Sequence, residues 1–299
     1  MIANTHNALI NDQNGNCAKP LLYDVFIYVV LFSGGRTSAF LAKYIKENPK
    51  YKNAIFVFMN TGKEREETLI FANKCDKEFG LDLVYLEAKI NNEKGAGTTY
   101  SIVDFKTASR NGEPFEAMLK KYPLPNNMAS NCTRELKQRP IDAYLRDNYK
   151  GYNIIKVVGI RADEAHRKGV NAEIEKVIYP LCDEMKVDSR FIRKWWGQQS
   201  FDLQLKDYQG NCDLCFKKSL KKRLTIIKEN PESAKWWLEM EQKYSSEEIP
   251  RFDLRTNKSV AELVEIAKKP FTKAQDLHEL SQQQCDLFEI ETDCFCKAS

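Results

Sequence analysis

The stretch Val25-Phe26-Ile27-Tyr28-Val29-Val30-Leu31-Phe32-Ser33-Gly34-Gly35-Arg36-Thr37-Ser38 decides the fold. Its first eight residues form an apolar run rich in β-branched and aromatic side chains. The residues that follow, Ala39-Phe40-Leu41-Ala42-Lys43-Tyr44-Ile45, have helical spacing. Between them stand two adjacent glycines. That is strand, tight turn, helix. The glycines let the backbone take φ > 0 and turn N–H groups inward, and the helix N-terminus adds the positive end of its dipole. Ser33, Thr37 and Ser38 add hydroxyls. The product is an anion cradle suited to phosphates. The plainer alternative is a glycine-rich strand-to-helix turn with no ligand. A Walker loop is excluded, because it needs a second glycine followed by Lys and Ser or Thr.

The same alternation continues outward. Ala54-Ile55-Phe56-Val57-Phe58-Met59 reads as a buried parallel strand. A helix is expected from about Glu64 to Phe79, closed by Gly80. Leu83-Val84-Tyr85-Leu86 is a third strand. A helix from about Arg134 to Asp147 and a strand Ile154-Ile155-Lys156-Val157-Val158 follow. Strands alternating with helices predict an α/β, Rossmann-like parallel sheet with helices on both faces, and ligands at the carboxyl ends of the strands. Residues 1–22 read as a tail, 23–186 as the α/β domain and 187–299 as a mainly helical C-terminal region. Trp195-Trp196 and Trp236-Trp237 are read as core. The basic run Lys217-Lys218, Lys221-Lys222-Arg223 is read as a solvated helix face, with a nucleic-acid site as the alternative.

The composition, 42% hydrophobic and 29% charged over 299 residues with a net charge of +4, is that of a soluble globular chain with a sizeable core. No apolar run is long enough to span a bilayer, and no signal peptide is visible, so a cytoplasmic protein with no membrane partner is expected. The nine cysteines should then be mostly reduced, and clustered ones read as metal or redox sites.

Several segments fall on the rim where the strands end. Asn60-Thr61-Gly62 through Glu67 follows the second strand, and an ordinary helix cap is the alternative there. Arg110 lies in a long polar segment after the third strand and offers a phosphate clamp. Lys137 stands near the start of the helix after Cys132. Gly159, Arg161, His166 and Arg167 follow the fourth strand and suit a polyphosphate or sulfate. Cys212-Asp213-Leu214-Cys215 has chelating spacing. With Cys132 and Cys182 it would complete a four-cysteine site for a [4Fe-4S] cluster or Zn²⁺, unless Cys182 is simply a buried apolar residue. Cys294 and Cys296 are alternative ligands or a mobile thiol pair.

Together these segments resemble the phosphoadenosine phosphosulfate (PAPS) reductase family, within the PP-loop, adenine-nucleotide alpha-hydrolase-like (HUP-type) superfamily. Ser33-Gly34-Gly35-Arg36-Thr37-Ser38 resembles the PP-loop Ser-Gly-Gly-x-Asp-Ser. Asn60-Thr61-Gly62 with Glu67-Thr68 is similar to the family's Asp-Thr-Gly…Glu-Thr segment. Cys132 to Lys137 resembles its cysteine-and-lysine helix start, Gly159-Ile160-Arg161 its Gly-x-Arg, and Tyr179-Pro180-Leu181 its Asn-Pro-Leu. There are departures. Asn131-Cys132 stands where cluster-bearing members have Cys-Cys. The tail around Cys294 lacks the reductases' Glu-Cys-Gly-x-His. Thr37 replaces an Asp.

The resemblance implies three readings. The first is an enzyme that binds ATP with Mg²⁺ and splits it between the α- and β-phosphates. In it Ser33, Gly34, Gly35, Arg36, Thr37 and Ser38 hold the phosphates, Asn60, Thr61, Gly62, Glu67, Arg110, Gly159 and Arg161 complete the nucleotide site, and Lys137 and Arg161 neutralise charge. The adenylated acceptor, a nucleic acid or a small molecule, would then receive sulfur. The second is a PAPS or APS reductase with Cys294 or Cys296 as nucleophile. The third is a non-catalytic nucleotide-binding protein with structural zinc. A homodimer is compatible with each.

Overall fold

Strand β3 (Phe26–Phe32) is apolar along its length because both faces are covered. Ile27 and Val29 pack on one face with Val57, Met59 and Leu86. Val30 and Phe32 pack on the other with Phe56 and Phe58. The computed structural model describes residues 25–93 and 95–276, and the short antiparallel pair β1 (Ile10–Asn11) and β2 (Cys17–Ala18).

The central sheet has six strands in the order β6-β5-β4-β3-β7-β8. The others are β4 (Ala54–Asn60), β5 (Val84–Lys89), β6 (Thr99–Val103), β7 (Asn153–Val158) and β8 (Val177–Ile178). All pair in parallel except β6, which is antiparallel to β5. The carboxyl ends of β3, β4, β5 and β7 therefore share one rim. Helices α1 (Arg36–Glu47), α2 (Glu66–Phe79) and α7 (Ser189–Trp196) cover one face through Leu41, Leu69, Phe71 and Trp196. Helix α5 (Arg139–Asn148) covers the other through Ile141, Tyr144 and Leu145. The expected Rossmann-like α/β sheet with helices on both faces is what the chain forms.

Two strands of the central sheet escape the sequence reading, as do β1 and β2, which fall in the stretch read as a tail. β6 is a sheet edge with three of its five residues exposed, so it reads as polar. β8 is only two residues long. The helix expected from Arg134 is also not uniform. It runs as α4 (Asn131–Thr133), a π turn over Arg134–Gln138 and then α5. Pro140 has no N–H for an i−4 bond, and the ladder widens just before it.

Helices α3 (Glu113–Leu119), α8 (Leu220–Glu229), α9 (Lys235–Tyr244) and α10 (Val260–Lys268) build a further apolar cluster around Phe115, Met118, Leu136, Phe216, Leu224 and Trp237. The sequence division at 186/187 is not a packing boundary. Val187, Ile192, Trp196, Leu203 and Leu205 belong to the same cluster as β3 and α1. Trp196 and Trp237 are each 1% exposed, as expected of core tryptophans.

The basic run is not one solvated face. Lys218 is 2% exposed, and its ammonium donates to the carbonyls of Gly210 and Cys212. Arg223 is as deeply buried and pairs with the Asp253 carboxylate. Among the described residues no helix is long and apolar enough to cross a membrane.

Candidate active site

The turn after β3 is built as a cradle. Gly34 has φ +76°, and a Cβ there would lie 2.4 Å from Thr68 Cγ2 and 3.1 Å from a Phe58 ring carbon. Any side chain at this position is both strained and overlapped. Ser38 braces the loop. Its hydroxyl accepts from the Ser33 N–H at 3.1 Å and donates to the Gly35 carbonyl at 2.9 Å, with the Ser33 hydroxyl 3.0 Å away. Gly35 is the N-cap of α1, and no side chain caps that helix. The first N–H to find an intrahelical acceptor is that of Ala39, on Gly35 O. The N–H groups at the start of α1 therefore lack intrahelical partners, which is the arrangement that takes an anion.

Arg161 reaches the cradle from the end of β7. Its guanidinium donates to Thr37 Oγ1 at 3.0 Å and is oriented by Asp163 at 2.9 Å and Glu164 at 3.2 Å. Gly159, at the end of β7, faces the first turn of α1, where a Cβ would meet Ser38 Cα at an ordinary contact distance of 3.4 Å. His166 and Arg167 lie on the following 3₁₀ turn, Ala162–Arg167, where Arg167 pairs with Glu164.

Two arginines expected to hold phosphate have their side chains occupied elsewhere. Arg36 bonds Asp202 and the carbonyls of Leu203 and Leu205. Arg110 bonds Glu66 and the carbonyls of Ala108 and Phe105. The carboxylates that hold them, Asp202 and Glu66, lie on other segments that no local pattern reveals.

The end of β4 forms the second wall. Asn60 is fully buried. Its amide donates to Glu87 at 2.6 Å and to Ser109 O at 2.8 Å, and its oxygen accepts the Gly62 N–H at 3.2 Å. Glu87 also accepts the N–H and hydroxyl of Ser109, so Asn60 fixes the loop after β6 against the rim. Thr61 donates its N–H and hydroxyl to Glu64 at 2.8 and 2.9 Å. Its hydroxyl also lies 3.5 Å from Cys212 Sγ. Lys63 stands 3.2 Å from Asp213 Oδ2, and Asp213 donates its N–H back to Lys63 O. Glu67 sits in the first turn of α2. Lys137 lies on the π turn, and its charge acts on the Cys212 thiol.

The cysteine loop, residues 210–218, thus docks on the rim. Burial pushes the Cys212 thiol well above its ordinary pKa, Glu64 adds to this, and Lys137 opposes it. The expected four-cysteine site is not assembled. Among the described residues no group of three or more His, Cys, Asp and Glu is placed to hold a metal ion. Cys182 packs with Ile160 and Tyr179 after β8, at the sheet edge, whereas Cys212 docks at β4, with β3 and β7 between. Among the described residues Cys132, Cys212 and Cys215 pack in one apolar cluster, which Cys182 does not join. Ser33–Ser38 offers hydroxyls and backbone N–H groups but no carboxylate. Cys294 and Cys296 lie outside the described residues.

Sequence reasoning missed Lys63, Glu64, Glu87, Ser109, Asp202 and Asp213. Lys63 and Glu64 adjoin a recognised segment, and Asp213 lies inside the Cys-x-x-Cys. Asp202 carries no local signal.

The family model for the phosphoadenosine phosphosulfate reductase domain matches residues 27–179. An uncharacterized nin region protein of Escherichia phage lambda is 38% identical over 200 residues, 66% of this chain and 68% of that protein. An uncharacterized protein of Methanocaldococcus jannaschii is 24% identical over 151 residues, 50% of this chain but 26% of its own length. The matched domain runs from β3 to Tyr179. Asp202 and the cysteine loop lie beyond it.

Proposed function

The chain belongs to the phosphoadenosine phosphosulfate reductase domain family, in the PP-loop superfamily, and from that premise we propose that it is an enzyme that binds ATP and cleaves it between the α- and β-phosphates to adenylate an acceptor. One observation carries this reading. The Gly34-Gly35 turn is intact, opens an uncapped helix, and has Arg161 bonded to its Thr37.

In this mechanism an acceptor oxygen attacks the α-phosphorus. The bond from that phosphorus to the bridging oxygen breaks, and pyrophosphate leaves with the oxygen. The N–H groups at the start of α1 hold the β- and γ-phosphates. Arg161, oriented by Asp163 and Glu164, neutralises charge that grows as the bond breaks. Lys137 takes the corresponding role over the adenylyl group. A sulfur nucleophile then displaces AMP from the acceptor.

The test is calorimetric binding of ATP, AMP and PAPS to the purified full chain, with ATP–pyrophosphate exchange as the activity readout. ATP should bind more tightly than AMP, and Arg161→Ala should remove about tenfold or more of that difference. Tighter binding of PAPS than ATP, with sulfite released from it, would overturn the proposal in favour of a reductase.

A further inference from the structure

The cradle is held from outside the matched domain. Arg36 is the first residue of α1, between Gly35 and Thr37. Its Nε donates to both Asp202 oxygens, at 2.8 and 3.0 Å. Its Nη2 donates to Leu203 O at 2.6 Å and its Nη1 to Leu205 O at 3.2 Å. Asp207 Oδ1 lies 3.6 Å from the same Nη1. The backbone is gripped as well, since the Trp196 indole N–H donates to Arg36 O at 2.9 Å. The Arg36 and Asp202 side chains are only 11% and 18% exposed. One segment, Trp196 to Asp207, therefore fastens the N-terminus of α1 by a guanidinium fork and a carbonyl. Leu203 and Leu205 are anchored in the core beneath it.

We infer that Arg36 is a positioning residue and that Asp202, Leu203 and Leu205 form a strut belonging to the anion site. The inference rests on the proposed phosphate-binding role of the cradle. The helix N-terminus holds an anion only if its N–H groups point at it, so a shift of its first turn weakens the site. The Arg36 charge is matched by Asp202, so its contribution is orientation rather than attraction.

This makes a prediction of sign. If Arg36 served the phosphates as a free cation, Asp202→Asn would remove an opposing negative charge and tighten ATP binding. As a strut, the same change loosens α1 and weakens it. The expected result is ATP affinity reduced about five- to twentyfold with AMP affinity unchanged. Arg36→Lys keeps the charge, loses the fork and should behave alike. ATP affinity equal to or tighter than wild type in both variants overturns the inference, as does a parallel loss of AMP binding. Should Asp202→Asn fail to fold, Arg36→Lys alone decides. The companion measurement, without ligand, is hydrogen exchange of Ser33 and of residues 39–42, the amides around the turn that have acceptors. Exchange several-fold faster in Asp202→Asn is expected, and unchanged exchange overturns the strut. Wild-type protein that binds neither ATP nor pyrophosphate overturns the proposed function instead, and the exchange result still decides the strut.

Discussion

The Lys63 ammonium stands 3.2 Å from the Asp213 carboxylate and joins the loop after β4 to the cysteine loop. The two side chains are 10% and 17% exposed. They are not equivalent. Asp213 also accepts the Trp237 indole N–H at 2.6 Å and the Leu214 N–H at 2.8 Å. Lys63 has the Trp236 ring 4.7 Å beneath it. Asp213→Ala leaves a cation and an indole N–H without their acceptor and should cost about 3–5 kcal/mol. Lys63→Met leaves Asp213 two neutral donors and keeps the contact with the ring, so about 1–3 kcal/mol is expected. Urea unfolding of both variants checks the order. Lys63→Met as the more damaging change would sink the account.

Gly34→Ala should cost about 1–3 kcal/mol from its positive φ, with a further penalty from overlap with Thr68. The two parts are separable. Thr68→Ser removes Cγ2, the atom a Cβ would meet at 2.4 Å. The double variant Gly34→Ala/Thr68→Ser should therefore recover part of the stability that Gly34→Ala loses, beyond the simple sum of the two changes. ATP binding should stay impaired, because the φ requirement is untouched. Strict additivity in thermal unfolding would show that the overlap is relieved by some other movement.

Acid sensitivity should centre on Asp253. Burial alone would raise its carboxyl pKa, but the Thr256 hydroxyl and the Arg223 guanidinium outweigh it and hold the value below the ordinary range. A folded-state value below the unfolded one, about 3.9, stabilises the protein above that pH. The contribution is lost as pH falls through the folded value. Asp253→Asn should be about 3–5 kcal/mol less stable at neutral pH, since it leaves the Arg223 charge buried. The gap to wild type should narrow below about pH 4. Parallel stability curves from pH 7 to pH 2 would contradict the assignment.

The parts of the fold legible in the sequence are those whose cause is local. β3 and β4 read as continuous apolar runs because both their faces are buried. The cradle is legible because two glycines in sequence have a local meaning. β6 is not, because an antiparallel edge strand with exposed Thr99, Ser101 and Ile102 has no distinguishing period. Lys218 and Arg223 look like a solvated charge run until their distant partners are placed. One caps carbonyls of the cysteine loop, and the other meets Asp253, thirty residues on. Arg36 reads as a phosphate ligand for the same reason. Its acceptor, Asp202, lies 166 residues away, across a connection whose length carries no information.

Native-state alkylation should separate the described cysteines by burial. Cys75, Cys182 and Cys212 are 0%, 6% and 9% exposed, and burial pushes all three thiols up, away from the reactive thiolate. Cys132 and Cys215 are half-buried. Iodoacetamide at pH 8, followed by peptide mass mapping, should label Cys132 and Cys215 at least about tenfold faster than the other three. The Thr61 hydroxyl, itself bonded to Glu64, lies against Cys212 at the β4 loop. Asp213→Ala, which releases that loop from Lys63, should bring the Cys212 rate up towards that of Cys215 while leaving Cys75 slow. If Cys212 is already as fast as Cys215 in the wild type, the loop does not stay docked on the rim, and the second wall of the site would have to be redrawn without it.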